Sequence, residues 1–301
     1  MDSGAGSELS GKALRFAHVS DLHLPYEPRL RPAQHFSKRQ LSVWSWRRRR
    51  AVQRPEILSS LREELAQHRP DRIVITGDIT NFSLPGEFIQ ARQWLGELPA
   101  PLSIVPGNHD TLVAVGEREG LGQWSQWSTD GQWPYLHRHD RVSFIGLKSA
   151  IPTAPLLASG ELGAAQLGRL QQLLREEGAA GQQRIVLLHH PVADGAVRAR
   201  KALRDRRELR AVLRECGAAM VLHGHARNAR LDALAGPAGP IPCLCVPSSS
   251  ALPNPRDEAA RWHLVELPAA GGVWARILVR QWSTTTGSFR QVADYRLRVR
   301  A

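Results

Sequence analysis

The chain has 301 residues and a formal net charge of +12, since 40 Lys and Arg residues outnumber 28 Asp and Glu residues. Such a surface attracts anions, among them phosphate esters, nucleic acid and acidic lipid headgroups. No apolar run approaches the roughly 18 residues that a membrane-spanning helix needs, so we expect no such helix. The three cysteines, Cys216, Cys243 and Cys245, are too few for a disulfide framework, and we expect a cytoplasmic protein.

Residues 1–12 are polar, rich in Gly and Ser, and lack a hydrophobic targeting core. This composition predicts a disordered tail and not a signal peptide. The length of the remainder allows one large α/β domain or two small ones. We predict a single domain over residues 13–301.

Short apolar runs typical of buried strands alternate with amphipathic helical patterns along most of the chain. In chain order the predicted elements are strand Leu14–Val19, helix Pro55–His68, strand Arg72–Thr76, helix Pro85–Leu98, strand Leu102–Val105, strand Val142–Leu147, helix Gly160–Glu177, strand Arg184–Leu188, helix Asp205–Cys216 and strand Ala218–Leu222. This alternation predicts a sheet with parallel strands and helices on its faces.

The C-terminal part changes to alternating apolar and polar residues with glycine-containing turns. The runs are Trp262–Leu267, Val273–Trp282 and Phe289–Val299. We predict that they form an antiparallel meander that completes a second sheet. The predicted architecture is an α/β fold of four layers, α/β/β/α, in which two mixed β-sheets are flanked by helices.

Two stretches do not fit this alternation. An insertion at about residues 26–53 carries Leu41 and Trp44 beside the basic run Arg47–Arg50. Aromatic and cationic side chains suit the surface of an acidic membrane, and the open alternative is that the insertion covers an edge of the sheet. The second stretch, residues 120–135, contains three tryptophans. Loops this long are usually functional or disordered.

Five short polar clusters each follow an apolar, strand-like run. They are Asp21-Leu22-His23, Gly77-Asp78, Gly107-Asn108-His109-Asp110, His189-His190-Pro191 and His223-Gly224-His225. Their side chains are oxygen and imidazole donors, the ligands that hold hard and borderline divalent metals. Because active sites of such sheets lie beyond the carboxyl ends of the strands, the clusters predict a two-metal hydrolytic centre.

Hydrolysis of a phosphate ester needs a nucleophile and neutralisation of the charge that builds on the phosphoryl oxygens. Two cations about 3.5–4 Å apart supply both, and a carboxylate must bridge them. Asp78 suits this role, because it follows a buried strand and the preceding Gly77 allows close approach of the backbone.

The other donors divide between the two metals. Asp21 and His23 lie two residues apart on an extended segment, so both can face one metal. The donors that suit the second metal are Asn108, His189 and His225. His109 then remains to give a proton to the departing ester oxygen.

The order Asp-x-His, Gly-Asp, Gly-Asn-His-Asp, His-x-Pro and Gly-His resembles the calcineurin-like metallophosphoesterase superfamily over about residues 14–228. The resemblance implies a helix-flanked β-sandwich that hydrolyses phosphate esters with a dinuclear metal centre and a metal-bound hydroxide. For one metal it implies the ligands Asp21, His23 and Asp78. For the other it implies Asp78, Asn108, His189 and His225. It makes His109 the histidine that contacts the scissile phosphate. Mixed oxygen and nitrogen ligands admit Mn, Fe, Zn or Co.

One position departs from the family pattern, which reads Gly-His-x-His at the fifth cluster. Here Arg227 stands in place of the last histidine, and an arginine that never loses its proton cannot ligate a metal. Three alternatives stay open. A water completes a weakened first site, or His223 supplies an imidazole. Otherwise the first metal is lost and Arg227 binds a phosphate oxygen through its bidentate fork.

The segment Gly77-Asp78-Ile79-Thr80-Asn81 and the third cluster most resemble the bacterial branch that contains cyclic-nucleotide phosphodiesterases. We therefore predict a phosphodiesterase. Asn81 and Arg227 are predicted to contact the phosphate-ester substrate. The alternative for Asn81 is that it belongs only to a loop that approaches the next helix.

Three other functions stay open. The basic, aromatic insertion favours a pyrophosphohydrolase of a lipid-linked nucleotide sugar, of the UDP-diacylglucosamine type, bound peripherally to the anionic inner membrane face. The net charge would suit a DNA exonuclease, but no added domain for gripping DNA is evident and we do not expect nucleic acid as a partner. Arg227 alone would suit a metal-poor, non-catalytic binding module.

Overall fold

Two six-stranded β-sheets form the centre of the structure, a computed structural model that describes residues 13–268 and 272–299. The predicted disordered tail, residues 1–12, lies outside the described residues. The strands are β1 (Arg15–Val19), β2 (Arg72–Ile75), β3 (Leu102–Ile104), β4 (Tyr135–His139), β5 (Val142–Gly146), β6 (Gln183–Leu187), β7 (Met220–His223), β8 (Arg230–Leu234), β9 (Ile241–Cys245), β10 (Arg261–Glu266), β11 (Trp274–Ser283) and β12 (Ser288–Arg298). The α-helices are α1 (Lys38–Arg49), α2 (Pro55–His68), α3 (Pro85–Gly96), α4 (Ala164–Ala179) and α5 (Arg206–Cys216).

Both sheets are mixed, as predicted. The first has the order β12-β11-β10-β1-β2-β3, in which β1, β2 and β3 run parallel. The second has the order β4-β5-β6-β7-β9-β8, in which β5, β6, β7 and β9 run parallel and the two edge strands are antiparallel. Each sheet therefore supplies a set of parallel strands whose carboxyl ends can carry functional loops.

An apolar core fills the space between the two sheets. Phe16 of β1 and Val74 of β2 pack there with Leu187 of β6, and the rings of Phe16 and Phe144 meet edge to face at 5.4 Å. A second core buries α2 and α3 on the outer face of the first sheet. A third buries α4 and α5 on the outer face of the second sheet. The predicted four-layer α/β/β/α arrangement is confirmed.

The C-terminal meander is confirmed as β10, β11 and β12, but its predicted place in the second sheet was wrong. It extends the first sheet, because β10 pairs with β1 in a register that places Ala17 opposite Leu264. Its inward-facing Val265 and Ile277 join the core between the sheets. An alternating pattern identifies one buried face of a strand and carries no information about which strand edge is its partner.

The insertion at residues 26–53 folds into a single 3-10 turn, Pro32–Phe36, followed by α1. Val43 of α1 packs with Phe82 and Leu84, which belong to the loop after β2. The insertion therefore places a helix over the loop that carries the second polar cluster, where the predicted site lies.

The second irregular stretch, residues 120–135, is also structured. Its 3-10 segment Leu121–Trp127 packs under α3, where the rings of Trp124 and Phe88 lie 4.9 Å apart. The stretch ends where β4 begins.

In the described part of the chain, no helix has the length and apolar character needed to cross a membrane.

Candidate metal centre

The five polar clusters follow β1, β2, β3, β6 and β7, and their loops meet at one end of the two sheets. The loops after β1 and β2 continue the strand pairing, since Asp21 N–H donates to Gly77 O and His23 N–H to Asp78 O, both at 2.9 Å. The second sheet joins them through His225 N–H, which donates to Asp21 Oδ2 at 3.1 Å. The site is therefore built by both sheets.

Four of the predicted ligands have a left-handed backbone. The φ angles are 51° for Asp21, 43° for His23, 54° for Asp78 and 65° for His225. Non-glycine residues rarely adopt this region, which costs on the order of 1–3 kcal/mol per residue and persists only where the surroundings enforce it. The concentration of this strain in four predicted ligands points to a functional constraint on their side-chain directions.

Asp78 has the geometry of a shared ligand. Its Oδ1 accepts a hydrogen bond from His109 N–H at 2.8 Å, which fixes the carboxylate. Its Oδ2 lies 3.4 Å from His189 Nε2 and 3.9 Å from His23 Nε2. Burial alone would raise the pKa of Asp78, but the adjacent His189, His109 and His23 lower this pKa well below its usual range. The oxygen between the imidazoles is therefore an anionic donor.

His189 and His225 bring two ring nitrogens together. His189 Nδ1 lies 2.7 Å from Thr76 O, and a carbonyl accepts only, so Nδ1 carries a hydrogen and Nε2 is the nitrogen that faces the donor group. By the same argument Lys201 O, at 3.1 Å, places the hydrogen of neutral His225 on Nε2. His189 Nε2 and His225 Nδ1 lie 3.1 Å apart.

Asn108 adds an oxygen to this group, with its Oδ1 placed 3.3 Å from His189 Nε2 by the assigned amide orientation. Electron-rich atoms of Asp78, Asn108, His189 and His225 thus converge, and a cation satisfies all of them. The donor set consists of two imidazoles, a carboxylate and an amide oxygen, which is what Mn, Fe, Zn or Co prefers. The residues therefore fit the second metal of the predicted pair.

The electrostatics of this group also favour a cation. Burial would lower the pKa of His189, but Asp78 raises it to about 9, so at neutral pH a proton on Nε2 occupies the place that a metal ion would take. Burial and the neighbouring His190 and His189 rings hold the pKa of His225 well below its ordinary value, so its imidazole is neutral, as a metal ligand must be.

Two groups of three side chains place their donor atoms within 4.8 Å of one another among the described residues. One contains Asp78, His189 and His225, and the other contains His23, Asp78 and His109. Asp78 is common to both, as expected for the carboxylate between two ions. Asp21 lies beside them, where burial raises its pKa to about 6 and Ser20 Oγ donates to its Oδ2 at 2.7 Å.

His109 stands at the wall of the cleft beside His23, with the two rings 4.9 Å apart and perpendicular. Its Nδ1 donates to Asn81 O at 2.9 Å, which fixes the orientation of the ring. Ser42 of α1 donates to the same carbonyl at 3.1 Å. Asn81 thus holds His109 in place through its backbone.

The predicted substrate contact by the Asn81 side chain has no counterpart in this geometry. Its Nδ2 donates to Leu24 O at 2.9 Å, and the residue is buried behind the wall of the cleft. The backbone N–H of Asn81 donates to Glu87 Oε1, whose carboxylate also receives the N–H groups of Phe82 and Leu84. Its role in the structure is to shape the loop that carries His109.

Asp110 and His190 lie behind the ligands and hold the surrounding backbone and side chains. Asp110 accepts the backbone N–H groups of Ile79, Thr80 and Gly107, and burial together with Asp78 raises its pKa to about 7. His190 Nδ1 lies 2.9 Å from Ser149 Oγ, and its Nε2 lies 3.2 Å from Ala158 O.

The ligands open into a cleft of about 230 Å³. Its wall carries four cationic side chains, Lys38, Arg200, Lys201 and Arg227. Of these four residues, only Arg227 was predicted from the sequence. Arg200 and Lys201 could have been predicted as well, because the basic run Arg198-Ala199-Arg200-Lys201 lies in the loop after the fourth cluster. These charges suit an anionic substrate.

Arg227 lies on the cleft wall with Nη1 3.2 Å from Asp257 Oδ1. His223, the alternative source of an imidazole, is fully buried, with Nδ1 3.0 Å from Gly224 O. It belongs neither to the cleft wall nor to the donor groups found in the described residues. The geometry therefore does not support His223 as the replacement for the missing ligand.

A sequence model of the calcineurin-like phosphoesterase family matches residues 14–226, more than half of the chain. The chain belongs to the calcineurin-like phosphoesterase family. The resemblance found in the sequence is thereby confirmed. Membership in this family also supports the prediction that the protein is a phosphoric ester hydrolase.

Named relatives of this family member include phosphodiesterases. The chain is 33% identical over 188 residues to a cAMP/cGMP dual specificity phosphodiesterase of Mycobacterium tuberculosis, covering 58% of this chain and 55% of the relative. It is 51% identical over 53 residues to a glycerophosphodiester phosphodiesterase of Enterobacter lignolyticus, covering 18% of this chain and 17% of the relative. A Synechococcus sp. protein named "Probable cyclic nucleotide phosphodiesterase" is 27% identical over 210 residues, covering 69% and 76%. The chain thus matches about half or less of the length of the first two.

Solved structures of metallophosphatases share the fold. A dimetal phosphatase from Danio rerio superimposes with a TM-score of 0.60 at 14% identity, covering 95% of this chain and 98% of the other. Purple acid phosphatase from yellow lupin seeds gives a TM-score of 0.56 at 11% identity, covering 96% and 54%. At such low identity these similarities establish the architecture alone.

Proposed function

We propose that the protein is a metal-dependent phosphodiesterase that hydrolyses small phosphodiesters at a dinuclear centre. The observation that carries this proposal is the convergence of His189 Nε2, His225 Nδ1 and Asn108 Oδ1 around Asp78, whose Oδ2 also faces His23. The phosphodiesterases among the named relatives support a diester over a monoester.

The residues divide between two ions that share Asp78. The first ion would take Asp21 and His23, and the second would take Asn108, His189 and His225. Two divalent ions in this position would neutralise charge on the phosphoryl oxygens and lower the pKa of the attacking water.

The side chains around the ions would orient the ester and move a proton. His109 is held at Nδ1 by Asn81 O, so a hydrogen on Nε2 can pass to the departing ester oxygen. Arg227 would donate to the non-bridging phosphoryl oxygens, with its guanidinium held by Asp257.

The size of the cleft supports small substrates. Its volume of about 230 Å³ lies below the roughly 300–1,000 Å³ of pockets that enclose drug-sized ligands, so a phosphodiester and a small attached group fill it. The Mycobacterium and Synechococcus relatives bear names that specify cyclic nucleotides, which are therefore the first compounds to test.

The deciding experiment measures hydrolysis of bis(4-nitrophenyl) phosphate and of cyclic AMP. The protein is first freed of metal with a chelator, and Mn²⁺, Zn²⁺, Fe²⁺ or Co²⁺ is then added back separately. We expect activity to return with metal and to fall at least about 10³-fold in Asp78→Asn, because the shared ligand is lost. Asp130→Asn, an exposed carboxylate outside the cleft, serves as the matched control. Metal-independent turnover, or full activity of Asp78→Asn, would refute the metal-dependent mechanism, and faster hydrolysis of 4-nitrophenyl phosphate than of the diester would refute the diesterase assignment.

A further inference from the structure

Large apolar side chains stand in solvent on the wall of the cleft and on the helical segments next to it in the chain. The exposed fractions are 96% for Phe36, 39% for Leu41, 55% for Trp44 and 76% for Leu156. Leu41 and Leu156 line the cleft itself. We call these four residues the apolar rim. Single exposed apolar residues need no explanation, but two on the wall of a candidate active site, with Phe36 and Trp44 on either side of Leu41 along the chain, suggest a binding surface.

Helix α1 carries half of the apolar rim on one face. Leu41, Trp44 and Arg48 are spaced three and four residues apart, so they lie along the same side of the helix. The opposite side is buried through Arg39 and Val43. The face with Trp44 therefore points away from the rest of the described chain.

The loop at the other lip is held against α1. Lys38 Nζ donates to Thr153 Oγ1 at 2.6 Å and to Leu157 O at 2.8 Å. Leu156 has a φ of 68°, and Arg200 Nη1 donates to its carbonyl at 3.2 Å. Because 76% of Leu156 is exposed, an apolar environment outside the protein would bury surface that the described chain leaves in water.

The apolar rim is accompanied by cations. Arg47, Arg48 and Arg50 are exposed on and just after α1, and Arg200 lies at the opposite lip. Aromatic and aliphatic side chains beside arginines match the headgroup region of an acidic bilayer, where the rings enter the interface and the guanidinium groups meet lipid phosphates. A nucleic acid duplex would engage the arginines through its phosphates but would leave the leucines Leu41 and Leu156 in water.

We propose that the apolar rim and the arginines of α1 dock this protein onto an anionic lipid bilayer, with the mouth of the cleft facing the headgroups. Leu41 and Leu156 then enter the interface, and the cleft between them opens toward the lipid. The proposal does not depend on the proposed activity, because binding to a bilayer is measured without substrate.

The test is co-sedimentation of the full chain with phosphatidylcholine vesicles and with vesicles that also contain phosphatidylserine. Two variants remove the two parts of the surface separately, Phe36→Ser/Trp44→Ser and Arg47→Glu/Arg48→Glu. Two matched controls make changes of the same number and kind on exposed residues of the meander outside the cleft, Trp274→Ser/Val292→Ser and Arg296→Glu/Arg298→Glu. Circular dichroism of each variant establishes that it is folded.

We expect wild type to partition onto the phosphatidylserine vesicles at least about tenfold more than onto phosphatidylcholine alone, with rising salt weakening the binding. The variants Phe36→Ser/Trp44→Ser and Arg47→Glu/Arg48→Glu are each expected to bind these vesicles about tenfold or more weakly than wild type, whereas both controls bind them as wild type does. The proposal would be overturned if wild type did not bind the vesicles, or if both folded variants bound them as well as wild type. It would also be overturned if the controls lost as much binding as the variants. Capture by heparin in the absence of vesicle binding would also overturn it and would assign the arginines to a polyanion.

Discussion

Arg227 Nη1 lies 3.2 Å from Asp257 Oδ1 on the wall of the candidate metal cleft. Asp257 is itself held by Asn254, whose Nδ2 donates to Oδ2 at 2.9 Å. The arginine occupies the position of a histidine in the family pattern, so the chain has exchanged a neutral metal ligand for a fixed positive charge. We expect this exchange to weaken the proposed first metal site and to strengthen the attraction for the phosphoryl oxygens.

Arg227→His should restore the missing ligand. We expect this variant to retain more metal than wild type after dialysis against a weak chelator, because one more imidazole faces the first ion. Metal content per chain, measured by mass spectrometry, checks the prediction. Arg256→His, a substitution at an exposed neighbour, should leave the metal content unchanged. A metal content of Arg227→His equal to that of wild type would show that residue 227 does not face the first ion.

Arg227→Gln removes the charge without adding a ligand. A hydrogen bond to a charged group is worth about 1.5–3 kcal/mol, so kcat/KM for a phosphodiester should fall about 10- to 150-fold. Metal content should stay the same. Steady-state kinetics at saturating metal separates this effect from metal loss. Unchanged kcat/KM would remove Arg227 from the substrate-binding site.

His109→Gln should slow hydrolysis in a way that depends on the leaving group. A general acid contributes about 10²–10⁴-fold when the departing oxygen is a strong base, and much less for 4-nitrophenolate, which leaves without a proton. We therefore expect a large loss of kcat with an alkyl diester and a loss of about tenfold or less with bis(4-nitrophenyl) phosphate. Equal losses for the two substrates would contradict proton donation by His109. His139→Gln, outside the cleft, is the control.

Gly224→Ala should disturb the first metal site more than the fold. A Cβ at this position would overlap Ser20 Oγ and lie 2.5 Å from Asp21 Oδ2, so the Asp21 carboxylate must move. Metal affinity should fall by about tenfold or more, since a shifted ligand loses its geometry. Gly168→Ala is a matched control, because no heavy atom lies within 4 Å of the added methyl group and alanine suits the interior of α4. Similar metal affinity in the two variants would contradict the close approach of Gly224 to Asp21.

Buried histidines far from the metals make stability sensitive to acid. Burial and the nearby Arg261 lower the pKa of His263 to about 3, and burial with Arg72 lowers that of His137 to about 4. Their folded pKa values lie below the unfolded value near 6.5, so the stability they contribute is complete above pH 6.5. It is lost as the pH falls from about 6.5 towards 4.

Between about pH 5 and pH 7.5 these histidines should make the free energy of unfolding, measured in urea, rise with pH, while the raised pKa values of Asp21, Asp110 and His189 act in the opposite direction. His263→Gln should make the measured slope less positive than that of wild type, whereas His35→Gln, at an exposed position, should leave it unchanged. Parallel slopes for wild type and His263→Gln would show that His263 does not titrate in this way.

The site was more predictable from the sequence than the connections of the sheets. Donor residues such as Asp78 and His189 directly follow apolar strands, so their convergence follows from strand ends meeting at one edge. The edge strand β4 was missed, because its polar residues hide the pattern. His137, for example, meets Ser103 Oγ at 3.0 Å, a contact that only the folded sheet provides.

Contacts between distant residues also decide details that local patterns do not contain. Helix α4 begins at Ala164 and not at Gly160, since the Asp205 carboxylate binds the N–H groups of Leu162 and Gly163 before the helix starts. Lys38 comes to the cleft only because α1 folds back over the loop after β2.

The candidate ligands belong to both sheets, with Asp21, His23, Asp78 and Asn108 after strands of the first and His189 and His225 after strands of the second. An ion bound to Asp78, Asn108, His189 and His225 would cross-link two halves of the sandwich that are far apart in the chain. Such an ion binds the docked sheets and not the separated ones, so its binding energy adds to the stability of the whole sandwich. Metal occupancy would then report on how completely the two halves of the sandwich are assembled.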